Sequence, residues 1–168
     1  SWHGYEHNRH LRNKGDGTFE EVGRAAGSDL LLNSRGVAAA DFWNRGTIDL
    51  AVAASTDKHA LLRNELVSGR HWLQVELVGK KSNRDGVGAR VSLKVKGKPQ
   101  MREVVLGDGF ASQNWIRQHF GLGNDAVVDE ITVKWPASKT TQTFQNVQGD
   151  RIIQITEGDN NLVEKHYA

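Results

Sequence analysis

Three histidines near the start of the chain, His3, His7 and His10, are spaced so that a helix or hairpin could bring their imidazoles together. Imidazole suits Zn, Cu or Ni. No carboxylate or cysteine completes the donor set, and a His-rich surface loop accounts for the same residues. His71 and His119 are scattered and read as structural histidines in or beside strands. Glu20-Glu21 and Asp129-Glu130 supply paired carboxyl groups, but neighbours on a strand point to opposite faces and cannot share a substrate. Ser112 sits in no G-x-S-x-G context and reads as a turn. Gly86-Val87-Gly88 and Gly107-Asp108-Gly109 open no helix, so they lack the converging N–H groups of a phosphate loop and serve turns and bulges instead. The expectation is a protein that is not an enzyme.

Binding is the chemistry left. Asn83, Arg84 and Asp85, with Asp108, Phe110, Gln113 and Asn114, are polar or aromatic residues in loops at strand ends, where binding side chains collect. Trp115 beside them could stack on a sugar or on a partner side chain. A packing role competes with this, because Trp72, Trp115 and Trp135 can equally fill a core or a seam. Arg84 and Asp85 could likewise form an ion pair that fixes their loop.

The elements that position these residues are read from composition and periodicity. A chain of 168 residues has room for one domain, or one small domain with an appendage. No window approaches the roughly 18 apolar residues of a spanning helix. A hydrophobic content of 38% with five Trp and five Phe excludes a disordered chain, and zero Cys excludes disulfides and thiolate metal sites. Lys and Arg number 22 against 20 Asp and Glu, a balance that does not suit wholesale nucleic-acid binding. Eighteen Gly mark a turn-rich chain of short strands. A start at Ser1 without an apolar leader suggests a mature or processed piece.

Asn8-Arg9-His10-Leu11-Arg12-Asn13 is echoed by His59-Ala60-Leu61-Leu62-Arg63-Asn64, and the first copy runs on into a Gly15-Asp16-Gly17 turn. Two copies about fifty residues apart suit the period of a propeller blade. Between them, residues 48–53 form an apolar strand expected to be buried on both faces. After Gly69 the pattern becomes period-two: Leu73, Val75 and Leu77 alternate with Gln74 and Glu76, and residues 87–95 alternate likewise, each with one face expected in water. A turn at Lys96-Gly97-Lys98-Pro99 and strands near 101–106, 116–120, 129–135, 140–147 and 151–156 complete roughly seven strands, as in an antiparallel β-sandwich.

Four ordered motifs then carry a family resemblance: Asn83-Arg84-Asp85-Gly86-Val87-Gly88-Ala89-Arg90-Val91, Gly107-Asp108-Gly109-Phe110-Ala111-Ser112-Gln113-Asn114, His119-Phe120-Gly121-Leu122-Gly123 and Val133-Lys134-Trp135-Pro136. Residues 70–157 resemble an ASPIC/UnbV domain, and residues 8–64 resemble the last one to two FG-GAP or VCBS repeats that precede it in that family. The resemblance implies an all-β chain: an incomplete β-propeller segment at 1–67, an antiparallel β-sandwich at 70–157 and a tail at 158–168. One to two blades cannot close a ring of about four to eight. The implied partner is the rest of a propeller or another chain, and the implied setting is extracellular, cell-surface or periplasmic.

FG-GAP repeats usually hold Ca²⁺ in an Asp-x-Asp-x-Asp-Gly-x-x-Asp loop, which here aligns with Asp41-Phe42-Trp43-Asn44-Arg45-Gly46-Thr47-Ile48-Asp49. Asp41, Asn44 and Asp49 remain as candidate ligands, while Trp43 and Arg45 replace two acidic positions and disfavour calcium. An Arg45 guanidinium lying between Asp41 and Asp49 would replace the ion. The expected function is a non-catalytic interaction or adhesion module without cofactor. The alternatives are a carbohydrate-binding module using the 110–115 loop and an accessory domain of an enzyme.

Overall fold

The computed structural model describes residues 4, 6–56, 58–65 and 69–167, and these form fifteen strands and no helix. Seven short strands come first: β1 (Glu6–His7), β2 (Leu11–Asn13), β3 (Phe19–Glu21), β4 (Leu31–Leu32), β5 (Ser34–Ala40), β6 (Asp49–Ala54) and β7 (Ala60–Leu62). Eight more follow: β8 (His71–Val78), β9 (Arg90–Val95), β10 (Lys98–Glu103), β11 (Gln118–Gly123), β12 (Val127–Lys134), β13 (Thr141–Gln148), β14 (Arg151–Thr156) and β15 (Leu162–Lys165). Five sheets result, none closed, and no ladder joins a strand before β8 to one after it. No described helix is long and apolar enough to cross a membrane.

The first seven strands make a β2–β3 hairpin, a β1–β4 pair and a three-stranded sheet in the order β5-β6-β7. Alternation divides the three-stranded sheet into two faces. Leu50, Val52 and Leu62 share a cavity with His10 and Ser28 and so face the N-terminal hairpins. Ala38, Ala51, Ala53 and Leu61 line the opposite side. That second side has little cover. Ala53 is exposed and Leu61 is 54% exposed. The 48–53 segment is therefore buried on one face only, because the described residues supply a second layer on just one side.

The later strands form two four-stranded sheets, β10-β9-β12-β13 and β11-β8-β14-β15. Both feed one hydrophobic cluster, in which Leu73, Val75, Phe120, Ile153 and Ile155 meet Val91, Leu93, Ile131, Val133 and Trp135. Complete burial of each large side chain contributes roughly 1.5–3 kcal/mol, so this cluster dominates the stability of the chain.

Three details depart from the sequence reading. The strands number eight, and one ladder is parallel: β14 lies beside β8 with Arg151 opposite Leu73 and Thr156 opposite Val78. A parallel neighbour needs a long crossover, which five intervening strands provide. Part of the 158–168 tail is a strand, β15, paired antiparallel with β14. Pro99 lies inside β10 rather than in a turn, which its missing N–H allows because β10 is an edge strand. The turn itself is Lys96-Gly97, both with positive φ (47° and 73°), as a tight hairpin requires.

Candidate functional site

Strand β8 turns Leu73 and Val75 into the core and Trp72, Gln74 and Glu76 to the other side. That side is not wet. Gln74 is only 1% exposed, because the 41–49 loop between β5 and β6 packs over it. The expectation of a solvated outer face fails here because the covering segment lies thirty residues away in sequence and carries the matching polar groups.

Within that loop Asp41 and Asp49 are buried. Asp41 Oδ1 accepts from the Arg45 N–H at 2.9 Å, and Oδ2 accepts from the Gly46 N–H at 2.6 Å and from Gln74 Nε2 at 2.7 Å. Asp49 Oδ1 accepts from Arg45 Nη2 at 3.0 Å and the Asn64 N–H at 2.8 Å, and Oδ2 from the Phe42 N–H at 3.3 Å. The Arg45 guanidinium thus pairs with Asp49 alone and reaches Asp41 only through its backbone. It also stacks 5.3 Å from the Trp43 ring centre, where Arg63 stacks as well at 5.2 Å. Asn44 turns away from both carboxylates, its Oδ1 accepting from Arg117 Nη1 at 2.9 Å. Every described carboxylate oxygen of the loop is met by a protein donor and a cation already sits on Asp49, so the residues present do not suit Ca²⁺.

Arg117 connects this loop to the sheet. Its side chain is 4% exposed and pairs with Glu76 through Nη2 at 2.6 Å and Nε at 2.8 Å. Nη1 also donates to Gln74 Oε1 at 2.9 Å. The guanidinium lies 3.8 Å from the Trp115 ring centre and 4.7 Å from that of Tyr167, whose hydroxyl donates to Glu76 at 2.7–2.8 Å. Burial raises the Tyr167 pKa, and the bond to Glu76 adds to the rise, so the phenol keeps its proton. Below this network Trp72 packs so tightly on Gly46 that a Cβ there would lie 2.0 Å from the indole, and Gly46 holds φ +80°. His119 donates from Nε2 to the Gly46 carbonyl at 2.8 Å. Burial lowers the His119 pKa, outweighing that hydrogen bond and the field of Asp41.

The loop between β10 and β11 forms a second contact with the first region. Ala39 of β5 donates its N–H to Asn114 Oδ1 at 2.9 Å and accepts from the Trp115 N–H at 3.1 Å, so the loop extends the edge of β5. Asn114 Nδ2 donates to Asp108 at 2.8 Å, and Gln113 bonds the Gly107 N–H and the Asn114 carbonyl. The backbone of Phe110 and Ala111 approaches Gly36, while the Phe110 side chain stays 70% exposed. Asp108, Gln113 and Asn114 therefore spend their polar atoms inside the protein.

Asn83 is also spent internally, bonding the Val87 N–H and carbonyl across its own loop at 2.8 and 2.9 Å. Arg84 and Asp85 are exposed and form no ion pair with each other among the described contacts. That loop is tied down by Glu157, whose Oε2 accepts the successive N–H groups of Lys80, Lys81 and Ser82 at 2.7–2.8 Å. Its Oε1 accepts the hydroxyls of Ser82 and Ser138. Burial pushes Glu157 up, but the bonds from Ser138, Ser82 and Lys80 outweigh it and hold the carboxyl at about 2.

The structure thus divides the residues singled out in the sequence. Asp41, Asn44 and Asp49 join a seam with Asn114 and Trp115, whereas Asn83 and Arg84 stand apart. Of the histidine trio, His3 lies outside the described residues. His7 bonds the Asp29 carbonyl and His10 the Ser28 hydroxyl. No group of three His, Asp or Glu among the described residues could hold a metal ion. Gln74, Glu76, Arg117, Glu157 and Tyr167 were not apparent as site residues. Gln74 and Glu76 look like the polar half of an ordinary alternating strand, and nothing near Tyr167 in sequence signals its partner at Glu76.

No curated protein matches the chain. The family model described as ASPIC and UnbV matches residues 79–162. The match begins just past β8 and takes in the 79–89 loop and its Glu157 anchor, the 105–115 loop, and β9 through β14. With half of its 168 residues covered, the chain belongs to the ASPIC and UnbV family.

Proposed function

We propose that this chain is a non-catalytic interaction module in which an ASPIC/UnbV β-sandwich carries a repeat-type sheet on a rigid polar seam. The observation behind this is the uncovered side of the β5-β6-β7 sheet, where Ala38, Ala51, Ala53 and Leu61 line a shallow apolar depression beside Phe42 and Ala111. Isolated exposed apolar residues mean little, but a contiguous group on a regular sheet face marks a contact surface. The opposite side of the same sheet already faces the β2–β3 hairpin region, and the first copy of the sequence echo lies there. A further sheet of the same repeat type is the occupant that suits the open side, as in a β-propeller of FG-GAP or VCBS repeats. We place such a module outside the cytoplasm, as part of a larger secreted or surface assembly.

Sedimentation velocity with rising protein concentration tests this reading. Association is expected, through the open side or with a co-purifying polypeptide, and Leu61→Asp should abolish it without lowering the melting temperature. A dispersed monomer at every concentration, with residues 6–65 resistant to proteolysis, would contradict it.

A further inference from the structure

The outer side of the β11-β8-β14-β15 sheet holds polar groups that the seam does not use. Gln154 of β14 stands in register beside Glu76 of β8. The 79–89 loop brings Asp85 to the same place, and the 105–115 loop brings Trp115, so that these four residues and Arg117 frame a cavity of about 160 Å³. The volume falls below the roughly 300–1,000 Å³ of pockets for drug-sized ligands, which limits an occupant to a single ring.

Among the described residues the side chains of Asp85 and Gln154 make no hydrogen bond or ion pair, although both line the cavity. Asp85 supplies acceptors only, and Gln154 supplies one acceptor and two N–H donors, a combination that reads hydroxyl groups. Trp115 is part-exposed, and with the Arg117 guanidinium on one face of its indole it leaves the other face as apolar ring surface. Glu76, which also lines the cavity, already accepts a ring hydroxyl, that of Tyr167, with both of its oxygens. Arg117 compensates Glu76, which leaves the Asp85 carboxylate as the uncompensated charge and disfavours an anionic ligand.

We propose that the cavity framed by Asp85, Trp115 and Gln154 is a subsite for one neutral pyranose ring. Asp85 and Gln154 take its hydroxyls, and Trp115 covers its C–H face. This subsite lies on the ASPIC/UnbV sheets and is independent of the open side of β5-β6-β7.

The test is an NMR titration of the full chain with the methyl glycosides of glucose, galactose and mannose and with N-acetylglucosamine, and with glucuronate as the anionic control. At least one neutral sugar should shift the Trp115 indole N–H saturably, with glucuronate weaker. Asp85→Ala and Gln154→Ala should each weaken that binding by about tenfold, as loss of a charge-assisted or bidentate contact would, with unchanged melting temperature. Absence of a saturable shift with all four neutral sugars would overturn the assignment. So would equal binding by the Asp85→Ala variant, or glucuronate binding as tightly as the neutral sugars.

Discussion

Strands β8 and β9 carry the same alternation of apolar and polar residues, yet their outer faces meet different fates. On β9, Arg90 and Lys94 are exposed and pair with Glu103 and Glu130 at the surface. On β8, Gln74 is buried and Glu76 is locked to Arg117 beneath the 41–49 loop. Period-two alternation places polar residues away from the hydrophobic cluster, but it does not place them in water. Which outer face becomes a seam depends on a covering segment that brings complementary donors and acceptors, and here Asp41, Asn44 and Gly46 provide them.

The contrast can be broken most severely at Arg117. Arg117→Ala strips Glu76 of its cation, leaving it only the Tyr167 hydroxyl, and strips the buried Gln74 Oε1 of its donor, and a loss of about 3–5 kcal/mol is expected in urea denaturation. Gln74→Leu should cost about 1–3 kcal/mol, since it strips Asp41 and Arg117 of one partner each. On the wet face, Lys94→Ala should leave the urea midpoint unchanged within error, although it breaks a 2.8 Å pair with Glu130. If the Gln74 and Lys94 substitutions had equal effects, the distinction between the two faces would collapse.

Two titrations sharpen the same comparison. Glu157 is held at about 2 against an ordinary 4.5, so its contribution is present above pH 4.5 and is lost as pH falls toward 2. Glu157→Gln should flatten the stability profile across that window in a pH series of thermal melts. His119 has its pKa lowered by burial, so the unfolded chain takes up the proton first and stability declines as pH falls below 6.5. His119→Gln should remove that smaller decline. EDTA is expected to leave the melting temperature unchanged, and a calcium-dependent rise would show that the Arg45–Asp49 pair does not fill the loop.

Much of the fold follows from local pattern. Leu93, Val95, Ile131 and Val133 announce β9 and β12 by alternation, and Lys96-Gly97 announces the hairpin that precedes β10. Of the four family motifs, the first marks the loop that Asn83 and Glu157 stabilise, and the second marks the loop that Gln113 and Asn114 hold together. The seam could not be read the same way, because its decisive contacts are long-range: Asn44 with Arg117, Gln74 with Asp41 and Tyr167 with Glu76. The parallel placement of β14 beside β8 likewise depends on which sheet a strand joins, which no single segment encodes. The 41–49 loop is more legible in the sequence. Arg45 in place of an acid signalled an internal cation, but its choice of Asp49 over Asp41 follows from Gln74, which already occupies Asp41.

The most direct test of the seam is a double-mutant cycle between Asn44 in the first region and Arg117 in the second, using Asn44→Gly, which tolerates the positive φ of that position, and Arg117→Met. A coupling energy of about 0.5–3 kcal/mol is expected for residues that share one hydrogen-bonded network across the seam. Additivity within error would mean that the two regions are not joined through Arg117.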